Sequence, residues 1–288
     1  MRKKADICSV FNWRVWLACW LLIGWPLLAR ADLVVMAINT EWLWSPADGK
    51  VDGESVRVRE PSLQDYHREL AFYASLVVQH EVDLLALSEI EGGHVAEDLR
   101  EHLPAGWQVI FRQGKDTATG QDVAMLTRLA VEADSVTDFG FPKGYLPGDR
   151  KGKMLTKVLG MRVEHPGMRQ QRVAVVTAHL LSLRNDSKAK ARKRLKQAVA
   201  LSQAVEALQK QADAVIVLGD LNDLPASAVL DRLKTGNALI DAAEYCGAKG
   251  KRLSRVDYVL YRGLECLESV YLPASPYSDH PAVLARFR

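Results

Sequence analysis

Val217-Leu218-Gly219-Asp220-Leu221-Asn222-Asp223 is the stretch on which the reading of the chain turns. The apolar run from Ala214 to Leu218 has the pattern of a buried strand, and Gly219 ends it so that polar residues emerge at the strand's edge. In an extended segment, Asp220 and Asn222 are two apart and present their side chains on the same side. A carboxylate and a carboxamide held side by side can take a proton from a water and steer it, or share a metal ion. Alone, these residues also read as an Asx-rich turn, with Asp223 no more than a turn residue. The rest of the chain has to supply the other groups of a site.

At 288 residues, 48% hydrophobic and 25% charged, the chain suits one large α/β unit with a substantial core. Its first residues stand apart. Arg2, Lys3 and Lys4 form a positive region, Val15 to Ala29 is apolar, and Ala29-Arg30-Ala31 fits a small-x-small cleavage rule. Residues 1–31 therefore read as a cleaved secretory signal peptide, and 32–288 as a single exported domain, periplasmic or secreted. The apolar run is shorter than the ~20 residues needed to span a bilayer. The segment carries five basic residues and one acidic one, so the 38 basic and 35 acidic side chains of the whole chain become 33 and 34, a net of −1. Global charge thus gives no support for nucleic-acid binding, and only local patches could. Cys246 and Cys266 remain after cleavage; an oxidising compartment favours their pairing, with two buried thiols as the alternative.

The mature chain alternates apolar runs with amphipathic ones. Strands are expected at Leu33–Ile38, ending at Asn39, and at Val82–Leu87, with a long loop from Glu41 to Arg59 between them. Pro61 and Ser62 open a helix that runs to about His80, and a shorter helix covers His94–Leu103. Further strands are expected at Trp107–Arg112, Val123–Thr127, Val131–Phe139, Met154–Val163 and Arg172–Ala178, with a basic loop at Phe141–Lys153. A basic helix spans about Ser187–Gln211, and another helix Pro225–Lys234. Val256–Tyr261, Cys266–Tyr271 and a run to Phe287 complete the strands. No fixed repeat or linker divides the mature chain, which points to one layered domain with two sheets packed face to face.

Five apolar runs lead to or from residues capable of metal or phosphate chemistry: Asn39, Glu89, His179, Asp220 with Asn222, and Asp279-His280. A sixth strand begins at Asp257. Strand ends are where a rigid scaffold can present reactive groups into one crevice. Singly, each also reads as a turn residue, a helix-terminal acid or a core histidine.

Taken in order, Ile38-Asn39, Leu87-Ser88-Glu89-Ile90, Gly120 to Arg128, Thr177-Ala178-His179, Gly219 to Asp223, Arg255-Val256-Asp257-Tyr258 and Ser278-Asp279-His280 resemble the motifs of the endonuclease/exonuclease/phosphatase superfamily. The resemblance spans essentially the whole mature chain. It implies the DNase I-like fold, a four-layer α/β/β/α sandwich with two packed mixed β-sheets. It also implies a divalent-metal-dependent phosphoester hydrolase, with Mg²⁺ or Mn²⁺ as cofactor. Asn39, Glu89 and Asp279 would be the metal residues, since hard oxygens suit those ions. Asp220 would activate or orient water, and Asn222 would hold water or a phosphate oxygen. His179 would donate to the phosphoryl group, and His280, oriented by Asp257, would act as acid/base or oxyanion donor. One departure stands out: Gly120-Gln121-Asp122 occupies the place where apurinic-site endonucleases carry an aromatic. Tyr145 of the basic loop is the candidate substitute for a phosphate-contacting tyrosine.

Three cationic runs lead to or from these residues: Lys143 to Lys157, Arg184 to Lys196, and Lys249 to Arg255. Together they suggest a polyanion-binding edge, with Arg150, Lys153 and Arg184 as substrate contacts; the plain alternative is solvated surface. The first expectation is an exported nuclease acting on DNA or RNA as a monomer, with no obligate protein partner. The alternative is a phosphatase or phospholipase C-type phosphodiesterase on inositol phosphates or lipid headgroups.

Overall fold

The computed structural model describes residues 32–46, 61–116, 118–167, 171–250 and 255–288. The expected signal peptide and most of the expected Glu41–Arg59 loop lie outside the described residues. In chain order the elements are β1 (Leu33–Leu43), α1 (Leu63–Gln79), β2 (Leu84–Ile90), α2 (Gly93–Glu101), β3 (Gln108–Phe111), β4 (Asp122–Thr127) and β5 (Ala130–Val131). A hairpin of β6 (Lys143–Gly144) and β7 (Lys153–Met154) precedes β8 (Val158–Glu164), β9 (Arg172–Ala178), α3 (Lys188–Gln209) and β10 (Ala214–Asp220). Then come α4 (Ala228–Asn237), β11 (Ile240–Asp241), α5 (Ala242–Tyr245), β12 (Asp257–Arg262), β13 (Cys266–Leu272) and β14 (Ala282–Phe287).

Two six-stranded sheets result, ordered β13-β14-β1-β2-β4-β3 and β11-β12-β10-β9-β8-β5. Each is mixed: β1 runs parallel to β2 and β10 parallel to β9, while the other pairs are antiparallel. The continuous apolar runs have a simple cause, because both faces of each central strand are covered. Leu33, Val35 and Ala37 of β1 face the core between the sheets, with Ala214, Ile216 and Leu218 of β10. Val34, Met36 and Ile38 face the other way, against Tyr66, Leu70 and Tyr73 of α1 and Val95 and Leu99 of α2. Val215 and Val217 pack beneath Leu201 and Val205 of α3 and Leu230 and Leu233 of α4. The architecture is the expected four-layer sandwich.

Helix starts follow their capping chemistry. Ser62, Ser187 and Ser227 each accept a backbone N–H from the first turn of α1, α3 and α4, satisfying a donor the helix itself leaves orphaned. Ser227 rather than Pro225 sets the start of α4, which therefore runs later than the expected Pro225–Lys234. The expected strand Val131–Phe139 shrinks to the two residues of β5, followed by a 3₁₀ turn at Ala133–Ser135 and one bridge from Thr137 to Gly160. The expected Met154–Val163 strand starts only at Val158, since Met154 pairs with Lys143 in the hairpin. Conversely, β1 continues beyond Asn39 to Leu43 across a bulge, with Glu41 and Trp42 at φ +49° and +70°. Cys246 and Cys266 form a disulfide, their Cα atoms 6.3 Å apart.

Candidate active site

The ends of β1, β2, β9 and β10 and the starts of β12 and β14 meet at one rim of the sandwich. Local backbone geometry aims the side chains. Gly219 sits at φ +127°, and a Cβ there would lie 2.5 Å from the Ala178 carbonyl oxygen, so β10 and β9 approach this closely only with glycine. Glu89 and Asn222 adopt φ +64° and +48°, a region that strains residues with a side chain. The register between β2 and β4 shifts at Glu89, and that irregularity lets its carboxylate face the same crevice as Asn39.

Asn39 links the two sheets. Its Nδ2 donates to Glu89 Oε1 at 3.1 Å and to Asp220 Oδ2 at 2.9 Å, while its Oδ1 accepts the Glu41 N–H at 3.0 Å. Asp220 also accepts from Asn222, through the backbone N–H to Oδ1 at 2.8 Å and through Nδ2 to Oδ2 at 2.9 Å. The His179 Nε2 lies 3.6 Å from both Glu89 Oε1 and Asp220 Oδ2. Across the crevice, His280 Nδ1 is 2.7 Å from Asp257 Oδ2. Ser278 fixes this loop by donating to the Asn39 carbonyl and accepting the His280 N–H.

Burial sets the electrostatics. It raises the Asp220 carboxyl well above the usual carboxylate range, and nearby Asp257 adds to the rise. Desolvation likewise raises Glu89, against the lowering pull of Asn39, Lys157 and His280. His179, fully enclosed and near Lys157 and His280, is held well below the ordinary imidazole value and is neutral. His280 goes the opposite way: burial lowers it, but the Asp257 hydrogen bond and the surrounding carboxylates outweigh that and raise it to about 10. The site therefore holds one imidazolium, one neutral imidazole and a crowd of under-compensated carboxylates.

Glu89, His179 and Asp220 bring one ligand atom each within 4.8 Å of one another, and so do Asp220, Asp257 and His280. Two buried carboxylates whose own surroundings leave them short of positive charge fit a divalent cation, which would reverse the shifts that burial imposes. Hard oxygens dominate the first group. Asp279, three-quarters exposed, joins neither group; its N–H donates to Glu41 Oε2 at 2.9 Å, and its Oδ1 lies 3.6 Å from His280 Nε2.

The sequence-derived residues Asn39, Glu89, His179, Asp220, Asn222, Asp257 and His280 thus converge. Tyr145, Arg150, Lys153 and Arg184 do not reach them through any hydrogen bond or ion pair among the described residues. Two contributors stand outside the sequence-derived set. Gln121 Nε2 donates to Glu89 Oε2 at 2.6 Å, and Lys157 Nζ donates to Gln121 Oε1 at 3.1 Å while pairing with Asp116 at 3.0 Å. Gln121 occupies the position where apurinic-site endonucleases carry an aromatic, and Lys157 ends the first cationic run; no local pattern in the sequence joins the two.

Several cations of these runs are paired with acids of the same chain. Arg194, buried to 1% side-chain exposure, pairs with Asp186 and Asp223. Arg192 and Lys196 pair with Asp149, and Arg255 is buried against Asp241 and Glu244. Asp223 is therefore more than a turn residue, because it receives the Arg194 Nε–H at 3.0 Å. Lys251 and Arg252 lie outside the described residues.

Residues 51–280 match a family model described as the Endonuclease/Exonuclease/phosphatase family. A search of curated proteins finds no match. Among solved structures, the human Nocturnin catalytic domain with bound sulfate aligns at 16% identity and TM-score 0.61, over 90% of this chain and 95% of that one. A mannosyl-6-phosphatase of Bacteroides thetaiotaomicron aligns at 14% identity and TM-score 0.59, over 89% and 99%. ANGEL2, described as a 2',3'-cyclic phosphatase in complex with adenosine-2',3'-vanadate, aligns at 15% identity and TM-score 0.60, over 92% and 97%. At these identities the solved structures support the fold.

Proposed function

The chain belongs to the endonuclease/exonuclease/phosphatase family, whose members hydrolyse phosphoesters, and from that premise we propose that it cleaves phosphodiesters of nucleic acid with Mg²⁺ or Mn²⁺ as cofactor. One observation carries the reading: His280, held on buried Asp257, faces buried Asp220 and partly buried Glu89 across one crevice.

The division of labour follows from the charges. Asp220, steadied by Asn39 and Asn222, accepts the proton of an attacking water. Its raised proton affinity suits that task. Asn222, whose Oδ1 accepts the Leu183 N–H at 3.2 Å, holds the water-handling turn against the loop after β9. His280, with Nδ1 committed to Asp257, points its Nε2–H at negative charge building on the phosphoryl oxygens. His179, neutral, offers a hydrogen bond without adding charge. Glu89, with Asp220 and Asn39 beside it, would hold the divalent cation, which when bound supplies charge stabilisation to the phosphoryl group.

Arg150, Lys153 and Arg184 carry no ion pair among the described residues. Arg184 directly follows Leu183, which binds Asn222, and Lys153 lies four residues before Lys157. These cations favour an extended polyanion as substrate. The internal pairing of Arg192, Arg194, Lys196 and Arg255 favours a smaller ester, the phosphatase or headgroup phosphodiesterase reading. We also propose that the mature protein acts outside the cytoplasm, a reading supported by the N-terminal pattern and the Cys246–Cys266 disulfide.

The test is to incubate residues 32–288 and Mg²⁺ with plasmid DNA, RNA, sphingomyelin and an inositol polyphosphate, with and without EDTA. Nucleic-acid cleavage that EDTA abolishes and Mg²⁺ or Mn²⁺ restores is the expected result. Headgroup or phosphate release without nucleic-acid cleavage would overturn the substrate assignment.

A further inference from the structure

Resting on that reading of the site, we propose that Arg194 is a positioning residue, a buried tether that sets the orientation of Asn222 from outside the crevice. Helix α3 fixes the guanidinium in space, because Ala198, Leu201, Val205 and Leu208 seat the helix on the second sheet. From there Arg194 reaches two separate loops. Its Nη1 and Nη2 donate to Asp186 Oδ1 and Oδ2, both at 3.0 Å, and its Nε donates to Asp223 Oδ2 at 3.0 Å. The first contact is the two-pronged fork that only arginine can make.

The two loops are the ones between which Asn222 is held. Asp223 follows Asn222 directly. Asp186 ends the segment after β9, in which the Leu180 carbonyl accepts from Asn222 Nδ2 at 3.2 Å and the Leu183 N–H donates to Asn222 Oδ1 at 3.2 Å. Asn222 itself sits at φ +48°, a left-handed conformation that asparagine adopts more readily than most residues with a side chain. Its amide bonds Asp220 at 2.9 Å, but its two bonds to the segment after β9 are 3.2 Å, longer than the three 3.0 Å bonds that Arg194 makes one residue outward. Tyr258 adds a fourth hold, its hydroxyl 2.8 Å from the Asp223 carbonyl. The tether thus holds the turn after β10 as a fixed platform for the Asp220 carboxylate.

The direct variant, Arg194→Met, leaves two carboxylates unpaired and can fail for that reason alone. Asp186→Ala opens the far arm, at a side chain about one-third exposed, together with a bond to the Ser187 backbone, and leaves Arg194 paired with Asp223. Turnover of bis(p-nitrophenyl) phosphate with Mg²⁺ should fall on the order of tenfold in kcat in Asp186→Ala, with KM within about twofold, the mark of a misplaced group rather than lost binding. In an Asn222→Ala background the same change should cost nothing further, because the tether acts through Asn222. A purely structural role would give the same fold loss in both backgrounds, and that outcome overturns the proposal. Amide hydrogen exchange provides a second readout that needs no activity. Peptides covering 180–187 and 221–224 should exchange faster in Asp186→Ala while those of β1 and β10 hold; unchanged exchange there also overturns it. Absence of turnover in the parent protein would instead sink the proposed reaction, and the exchange comparison would still decide the tether.

Discussion

The strand-end crevice and helix α3 are both dense in charge in the sequence, and the fold treats them in opposite ways. At the crevice, Glu89, Asp220 and Asp257 are brought together and enclosed with few cations near them, so burial pushes all three carboxyls upward. Along α3, Arg192, Arg194 and Lys196 each find an acid within 3.1 Å. Their partners Asp149 and Asp186 are held below the usual carboxylate range by those arginines. Charge that is satisfied holds loops in place. Charge that is buried and left short is available for chemistry, or for a cation that completes it.

The largest expected effect breaks the comparison at its catalytic end. Asp220→Ala and His280→Ala should each lower turnover by about 10³-fold; thermal melting of the metal-free protein should hold or rise in Asp220→Ala, which relieves crowded buried charge, and fall in His280→Ala, which removes the cation paired with Asp257. A variant with near-normal turnover would remove its residue from the site. Arg194→Met tests the other end. It should cost about 2–4 kcal/mol of unfolding free energy by denaturant titration, a range lowered from that for a fully buried pair because Asp186 is about one-third exposed. If Asp220→Ala is the destabilised variant and Arg194→Met melts normally, the distinction between the two regions fails.

That distinction shows why the sequence revealed the crevice more readily than the scaffold around it. The central strands were legible because their apolar runs exceed what one covered face would need; Val34 and Val35 are both buried, on opposite sides. The catalytic set was legible because each member ends or begins such a run. Bulges left no such mark. Asn39 and Glu89 look like the ends of strands, yet pairing resumes past them at Leu43 and Ile90. Ion-pair partners were equally hidden: Arg194 lies 8 residues from Asp186 and 29 from Asp223, separations that no local pattern joins. Lys157 was visible only as one more cation, because its meaning depends on Gln121 and Asp116 across the sheet.

Metal addition sharpens the comparison more gently. If the crevice carboxylates lack charge, Mg²⁺ at about 100 times its dissociation constant should add about 2.7 kcal/mol to stability, read as a rise in melting temperature. Glu89→Gln should abolish most of that rise, and Asp186→Ala should leave it in place. An equal loss of the metal response in both variants would mean that the cation does not distinguish the two regions.

The smallest effect is a pH slope confined to the imidazolium. His280 has a folded value of about 10, above the ordinary 6.5, so its pairing with Asp257 stabilises the native state fully below the ordinary value. That contribution declines as pH rises from about 6.5 and is gone above about 10. Its isolation requires a difference measurement, because acids paired with arginines, such as Asp149 and Asp186, have lowered values and contribute the opposite trend in the acid range. The gap in melting temperature between the parent protein and His280→Gln should therefore be widest near pH 6 and close steadily towards pH 10. Asp186→Ala compared with its parent should show no closing gap over that interval, since its carboxylate is ionised throughout it. A constant His280→Gln gap from pH 6 to 10 would mean that the imidazole is neutral in the folded protein, and with that the charge assignment on the phosphate-handling side of the crevice would fall.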